Sequence, residues 1–312
     1  MKLSELTAAS LIEFFIGGCS FLAANKEIVN ALNVFPVPDG DTGTNMSLTM
    51  NSAVKELSGL DSVTKVANAV STGSLMGARG NSGVILSQLF RGFAQGVGEK
   101  KTLFANDFAF ALQKGVDLAY KSVMKPVEGT ILTVSKAVAN AAIKQARQNK
   151  DIIEVLSYAL LQGQVALNNT PNQLAVLKQA GVVDAGGKGF LFIIEGGLKA
   201  LQGEKINDIQ VSASKDLREE QKSSDSQQIA FQYCTEFIIK GDKLSSELIK
   251  EKIRNKGDSL LVVGADGLIK VHIHTNHPGE VLEYAVAMGT IHDIKIDNMK
   301  DQHQDYSPLG RT

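Results

Sequence analysis

Along residues 1–203, apolar residues recur at three- and four-residue spacing, in stretches near 8–32, 45–58, 62–76, 83–97, 106–124, 130–148, 151–168, 172–180 and 187–202. That period lines up apolar side chains on one face of a helix, and the glycine-rich breaks between stretches mark turns. No segment here sustains period-two alternation, so an all-α bundle is predicted, with its glycine motifs at the interhelical turns. Residues 204–228 are polar and serine-rich, the composition of a solvated linker. Beyond it, in 229–312, the pattern changes. Phe231–Ile239 reads as a strand, Ser246–Arg254 as a helix, and Leu260–Val263 and Leu268–His274 as strands around an Asp266-Gly267 hairpin signal. Pro278–Met288 reads as a helix and His292–Ile296 as a last strand. The order β-α-β-β-α-β is that of a split βαβ sandwich, an order that can also be wired otherwise. The expected organisation is multidomain: 1–203 all-α, 204–228 linker, 229–312 a small α+β domain.

A length of 312 residues fits two domains. Hydrophobic residues at 44% and charged residues at 21% are ordinary for a globular protein, and a formal net charge of −1 offers no basic excess for nucleic acid. There is no long uncharged apolar run, hence no expected transmembrane segment, and Met1–Leu6 lacks a secretory pattern; a cytoplasmic protein is expected. Cys19 and Cys234 lie too far apart in sequence to suggest a disulfide framework.

The densest chemistry lies in the run Asn33 to Met46, where Asp39 and Asp41 flank Gly40 after Pro36 and Pro38. Carboxylates, free loop amides and a following helix start suit magnesium and a polyphosphate. An EF-hand fits poorly, because its fifth and sixth positions would be Gly43 and Thr44 and no Glu stands at the twelfth. A plain turn with Thr44 or Asn45 as helix cap remains open. Gly186-Gly187-Lys188-Gly189 resembles the end of a Walker A motif but lacks its Ser or Thr and a preceding strand. Gly77 to Gly83 opens a helix, so the amides of Gly80, Asn81, Ser82 and Gly83 could cradle a phosphate, or simply form a tight interhelical turn. Arg79 in that turn is either a cation for the transferring phosphoryl group or a surface arginine.

The runs Leu32 to Met46, Gly73 to Gly83, Lys125 to Leu132 and Gly181 to Gly187 resemble, in order, four motifs of the dihydroxyacetone kinase L-subunit (DhaL-like) family. They look most like the branch typified by the A subunit of bacterial fatty acid kinase. The resemblance spans essentially the whole chain and implies an antiparallel helical barrel with a nucleotide site at one end. It also implies two magnesium ions on three acidic positions; here Asp39 and Asp41 match two, and Asn33, a neutral ligand at best, stands at the other. Thr44 and Asn45 are then expected at phosphates or metal-bound water, Thr130 near the nucleotide, and Asp184 near its ribose or base.

In the second domain, three of the five histidines fall within residues 272–277. On a strand, His272 and His274 share a face. If the first strand pairs antiparallel with the third, Cys234 comes beside them, and a thiolate with two imidazoles is a zinc ligand set. A polar strand end with a buried cysteine is the plainer alternative. The fatty acid kinase branch carries a metal on a Cys and a His-x-His pair at corresponding positions, which favours zinc; His277 stands in reserve.

The activity the resemblance implies is ATP-dependent phosphoryl transfer to a fatty acid carried by a partner protein, feeding phospholipid synthesis. ATP or ADP, Mg2+ and Zn2+ are the expected cofactors, and a homodimer is among the expectations. No histidine lies in 1–203, which favours an acceptor already ionised at neutral pH, such as a carboxylate. The rival readings are a non-catalytic ADP-binding coregulator and a dihydroxyacetone (glycerone) kinase subunit. Similar proteins continue into a further domain, so the sequence is read as a piece of a longer chain or as a shorter relative.

Overall fold

The computed structural model describes residues 2–204, 230–242, 244–265 and 267–301. Nearly all of the expected linker, Asp266 of the hairpin signal and His303 lie outside the described residues.

The first domain contains β1 (Glu5–Leu6), α1 (Ala8–Ala24), α2 (Lys26–Ala31), α3 (Thr42–Val54), α4 (Val63–Met76), α5 (Gly80–Val97) and β2 (Leu103–Phe104). It continues with α6 (Ala105–Ser122), α7 (Ile131–Ala146), α8 (Ile152–Asn168), α9 (Thr170–Gln173), α10 (Ala175–Ala180) and α11 (Ala185–Leu201). Helices α1, α3, α4, α5, α6, α7, α8 and α11 pack in a closed ring, each on the next and α11 back on α1. The ring closes around an apolar interior in which Phe14 and Phe15 of α1, Phe90 and Phe93 of α5 and Phe108 of α6 meet edge to face. Helices α5 and α6 approach closely because the contact is glycine: a Cβ at Gly92 would stand 2.3 Å from the Lys114 carbonyl oxygen.

Three local differences from the expected elements have simple causes. The 8–32 stretch is two helices, because the buried Asn25 leaves helical geometry and turns its amide back onto the Phe21 carbonyl at 2.8 Å. Leu174 is extended and divides 172–180 between α9 and α10. The β1–β2 pair is two residues long on each side, too short to carry a period.

The second domain contains β3 (Tyr233–Lys240), α12 (Ser246–Ile253), β4 (Gly257–Ala265), β5 (Leu268–Thr275), α13 (Pro278–Val286) and β6 (Thr290–Asn298). Sheet order is β4-β5-β3-β6 with every neighbour antiparallel, the split βαβ arrangement. Alternation divides the sheet. One face, with Phe237, Ile239, Val262, Val271 and Ile273, packs on Ile249 and Ile253 of α12 and Val281 and Ala285 of α13. The other face meets the helical domain, where Leu261 and Val263 pack against Leu75, Ala78 and Val84 around the α4–α5 turn.

Candidate active site

The first wall is the loop before α3. Gly40 takes a φ of +66°, which lets the chain reverse between Asp39 and Asp41. The buried Asn33 amide donates to Asp39 Oδ1. Burial, and then the charge of Asp41, push Asp39 up to about 8, so this paired acid site favours a proton or a cation. Helix α3 begins at Thr42, earlier than the sequence pattern indicates, with Asp41 as N-cap. Asn30 grips Thr44, accepting its N–H at 3.0 Å and donating to Oγ1 at 3.1 Å; its neighbours Thr42 and Asn45 face the cleft.

The second wall is the start of α5. Gly80, with φ +60°, leaves no room for a side chain, since a Cβ there would stand 2.7 Å from Asn45 Nδ2. Asn81 and Ser82 line the cleft. Gly83 packs against Thr49 and gives its N–H to the Arg79 carbonyl. Arg79 stands beside the cleft rather than in its wall: its N–H donates to Thr49 Oγ1 at 3.3 Å and Nη1 to the Ala78 carbonyl at 3.3 Å.

Two further expected residues are helix starts at the same end of the ring. Asp184 caps α11, accepting the Gly187 N–H at 2.6 Å, while its own N–H donates to Thr170 Oγ1 at 3.1 Å. Burial pushes its carboxyl up to about 7 despite the amides of Gly187 and Ile131. Thr130 is the N-cap residue of α7 and donates to the Val127 carbonyl at 2.7 Å. A Cβ on Gly186 would lie 3.3 Å from Ile131 Cβ and 3.5 Å from Ser82 Oγ, so the starts of α5, α7 and α11 converge.

The third wall comes from the second domain. Pairing sets Cys234 opposite His274 and Glu236 opposite His272, and β6 adds Asp297 beside Cys234 and Lys295 beside Glu236. All six side chains line the same cleft as Asp39 and Asp41, a space of about 540 Å³ including its open mouth. The ligand atoms of Cys234, His272 and His274 lie within 4.8 Å of one another. Burial would raise the Cys234 thiol, but His272 and His274 outweigh it and bring it down to about 7. His272 Nε2 is buried with no hydrogen-bond partner. A soft thiolate and two imidazoles, one of them with an orphaned ring nitrogen, fit a zinc ion. His274 Nδ1 also meets Asp258 at 3.4 Å, and Lys295 pairs with Asp297 at 2.5 Å.

The structure thus brings Asn33, Asp39, Asp41, Asn45, Gly80, Asn81 and Ser82 together with Cys234, His272 and His274. Thr44, Arg79, Gly83, Thr130 and Asp184 are set around this group and outside the cleft wall. Although the first domain has no histidine, two imidazoles of the neighbouring sheet line the same cleft as its loop. Glu236, Lys295 and Asp297 went unread in the sequence. Period-two alternation from Cys234 would have flagged Glu236; the other two needed the β3–β6 register.

Residues 36–199 match the DAK2 domain model, and residues 230–306 match the model for the middle domain of proteins like the A subunit of fatty acid kinase. The chain belongs to the DAK2-domain family, a kinase-related family, and joins that domain to a middle domain of the fatty acid kinase A type. It is similar to Protein YloV of Bacillus subtilis (strain 168), 46% identical over 316 residues that cover 97% of this chain and 57% of that protein. Uncharacterized proteins of Staphylococcus epidermidis and Staphylococcus haemolyticus are each 43% identical, again over 97% of this chain and 57% of theirs. The chain therefore spans little more than half the length of these relatives. Among the described residues, no helix is long and apolar enough to cross a membrane.

Proposed function

We propose that this chain is the nucleotide-binding part of a fatty acid kinase, transferring the γ-phosphoryl group of ATP to a fatty acid carboxylate presented by a lipid-carrier protein. The observation that carries this reading is the shared cleft: Asp39 and Asp41 of one domain and Cys234, His272 and His274 of the other line one space. Asp39 and Asp41, with Asn33, would hold magnesium, which neutralises phosphate charge. Cys234, His272 and His274 would hold zinc, which supplies a positive centre for an acceptor oxygen. With the Gly80 amide on Glu236 and the Gly83 amide on the Arg79 carbonyl, the amides of Asn81 and Ser82, whose residues line the cleft, are the ones left at the start of α5 to receive phosphate oxygens. Asn33 keeps the carboxylate pair in place through its bond to Asp39. An acceptor carboxylate is already ionised at neutral pH and needs no base to become a nucleophile.

ATP consumption separates this reading from its rivals. Turnover that requires oleate on a lipid-carrier protein supports it. Turnover with dihydroxyacetone and its carrier protein instead would identify a glycerone kinase subunit, and nucleotide binding without turnover on either would identify a coregulator.

A further inference from the structure

Gly80 of the first domain and His272 of the second are bound to the same carboxylate oxygen. Glu236 Oε1 accepts the Gly80 N–H at 2.6 Å and lies 2.8 Å from His272 Nδ1. Glu236 is 2% exposed and His272 1%, so neither contact is a fluctuating surface pair. An ionised carboxylate only accepts, so the proton in the contact with His272 belongs to Nδ1 whether the ring is neutral or charged. The same nitrogen also lies 3.9 Å from Cys234 Sγ, so Nδ1 is shared between two neighbours, and the ring atom left for another partner is Nε2, buried there with no hydrogen bond. The second contact works on a different element. Gly80 opens α5, and its amide is one of the first-turn donors that a helix cannot satisfy internally. A carboxylate at that position is held both by the bond and by the helix dipole. Because Gly80 is itself wedged against Asn45, the anchor is a fixed point on the wall that also carries Asn81 and Ser82.

We propose that Glu236 is the positioning residue of this cleft: through one oxygen it fixes His272 with its proton on Nδ1 and Nε2 open, and it pins that ring to the first turn of α5. The arrangement has the logic of a carboxylate that orients a metal-binding histidine, here with an extra bond across a domain boundary. It makes the orientation of His272 depend on the two domains being docked. The inference builds on the shared-cleft reading, yet its test needs neither nucleotide nor turnover.

The test uses the full chain with 15N-labelled histidines, titrated with zinc. In the wild type, the His272 resonances should show a slowly exchanging proton on Nδ1 and metal on Nε2. Glu236→Gln keeps an oxygen that can accept from both partners and should largely preserve this state. Glu236→Ala should lose the protected Nδ1 proton, accelerate amide exchange at Gly80, and weaken zinc binding by about 10- to 100-fold. Zinc on Nδ1 in the wild type would overturn the proposal without reference to any variant. So would a Glu236→Ala protein that keeps its fold by circular dichroism and leaves zinc affinity, the Nδ1 proton and the Gly80 amide unchanged. Absence of kinase activity with every acceptor would defeat the functional reading and leave this result standing.

Discussion

Cys234 Sγ lies 3.9 Å from His272 Nδ1, across two antiparallel strands. This proximity makes the two cysteines of the chain chemically different. Cys19 is buried in α1, donates to Asn51 Oδ1 at 3.2 Å, and is pushed up to about 11 by burial. In metal-free protein near neutral pH, a thiol reagent should modify Cys234 and spare Cys19. Purified protein should carry about one zinc per chain, by ligand count, and that zinc should protect Cys234. Cys234→Ala should abolish binding; stoichiometric zinc surviving in a His272→Ala/His274→Ala protein would refute the ligand assignment.

Asp41→Ala should reduce phosphoryl transfer by about 100-fold or more, the scale seen when one preorganised electrostatic contact is removed. The residue lies in a loop and at a helix start, and contributes little packing, so far-UV dichroism and the melting temperature should stay close to wild type. Turnover at the wild-type rate would remove Asp41 from the metal site.

Asp184 gives a pH dependence of known sign. Its folded-state carboxyl sits at about 7 against an ordinary value of 3.8, raised by burial. Between those values the native state keeps a proton that the unfolded chain has released, so stability declines as pH rises through that window. Asp184→Asn retains a capping oxygen for Gly187 and removes the titration. The variant should therefore gain melting temperature relative to wild type at pH 8 and show no such gain at pH 4. Parallel curves for the two proteins would contradict this.

Beside the bond from Gly80 to Glu236, the domains dock through a small apolar contact. Leu261→Asp would place a charge against Leu75, Ala78 and Val84, forfeiting roughly 1.5–3 kcal/mol of side-chain burial and adding desolvation. Each domain has its own core, so both should remain folded while phosphoryl transfer falls and the chain expands in small-angle scattering. Unchanged scattering and unchanged transfer would show that this contact does not hold the cleft together.

The sequence pattern made the helices, the strand order and both chemical clusters legible, for physical reasons that differ by region. Helical period and glycine breaks mark the ring because each helix buries one stripe. Strand alternation placed Cys234, His272 and His274 together because an antiparallel neighbour fixes which residues face each other. What stayed hidden is the meeting of the two domains. Leu261 and Val263 read only as residues of a strand, and nothing in their spacing says that the second buried face belongs to another domain. For the same reason the bond from Glu236 to Gly80 stayed hidden: alternation puts Glu236 on the face of Cys234, but its partner lies 156 positions away, and a strand glutamate carries no sign of a remote amide. Asn25 breaks a helix through a side-chain bond to Phe21 that no periodicity reports.

The central claim is that the two clusters form one site. Manganese can replace magnesium with the nucleotide, and its unpaired electrons broaden nearby resonances. In 15N-histidine-labelled protein, Mn2+ with ATP should broaden His272 and His274 selectively over His292, whose side chain is absent from the cleft lining, and Asp39→Ala/Asp41→Ala should abolish the effect. Sharp His272 and His274 lines at saturating Mn2+ and ATP would contradict the account.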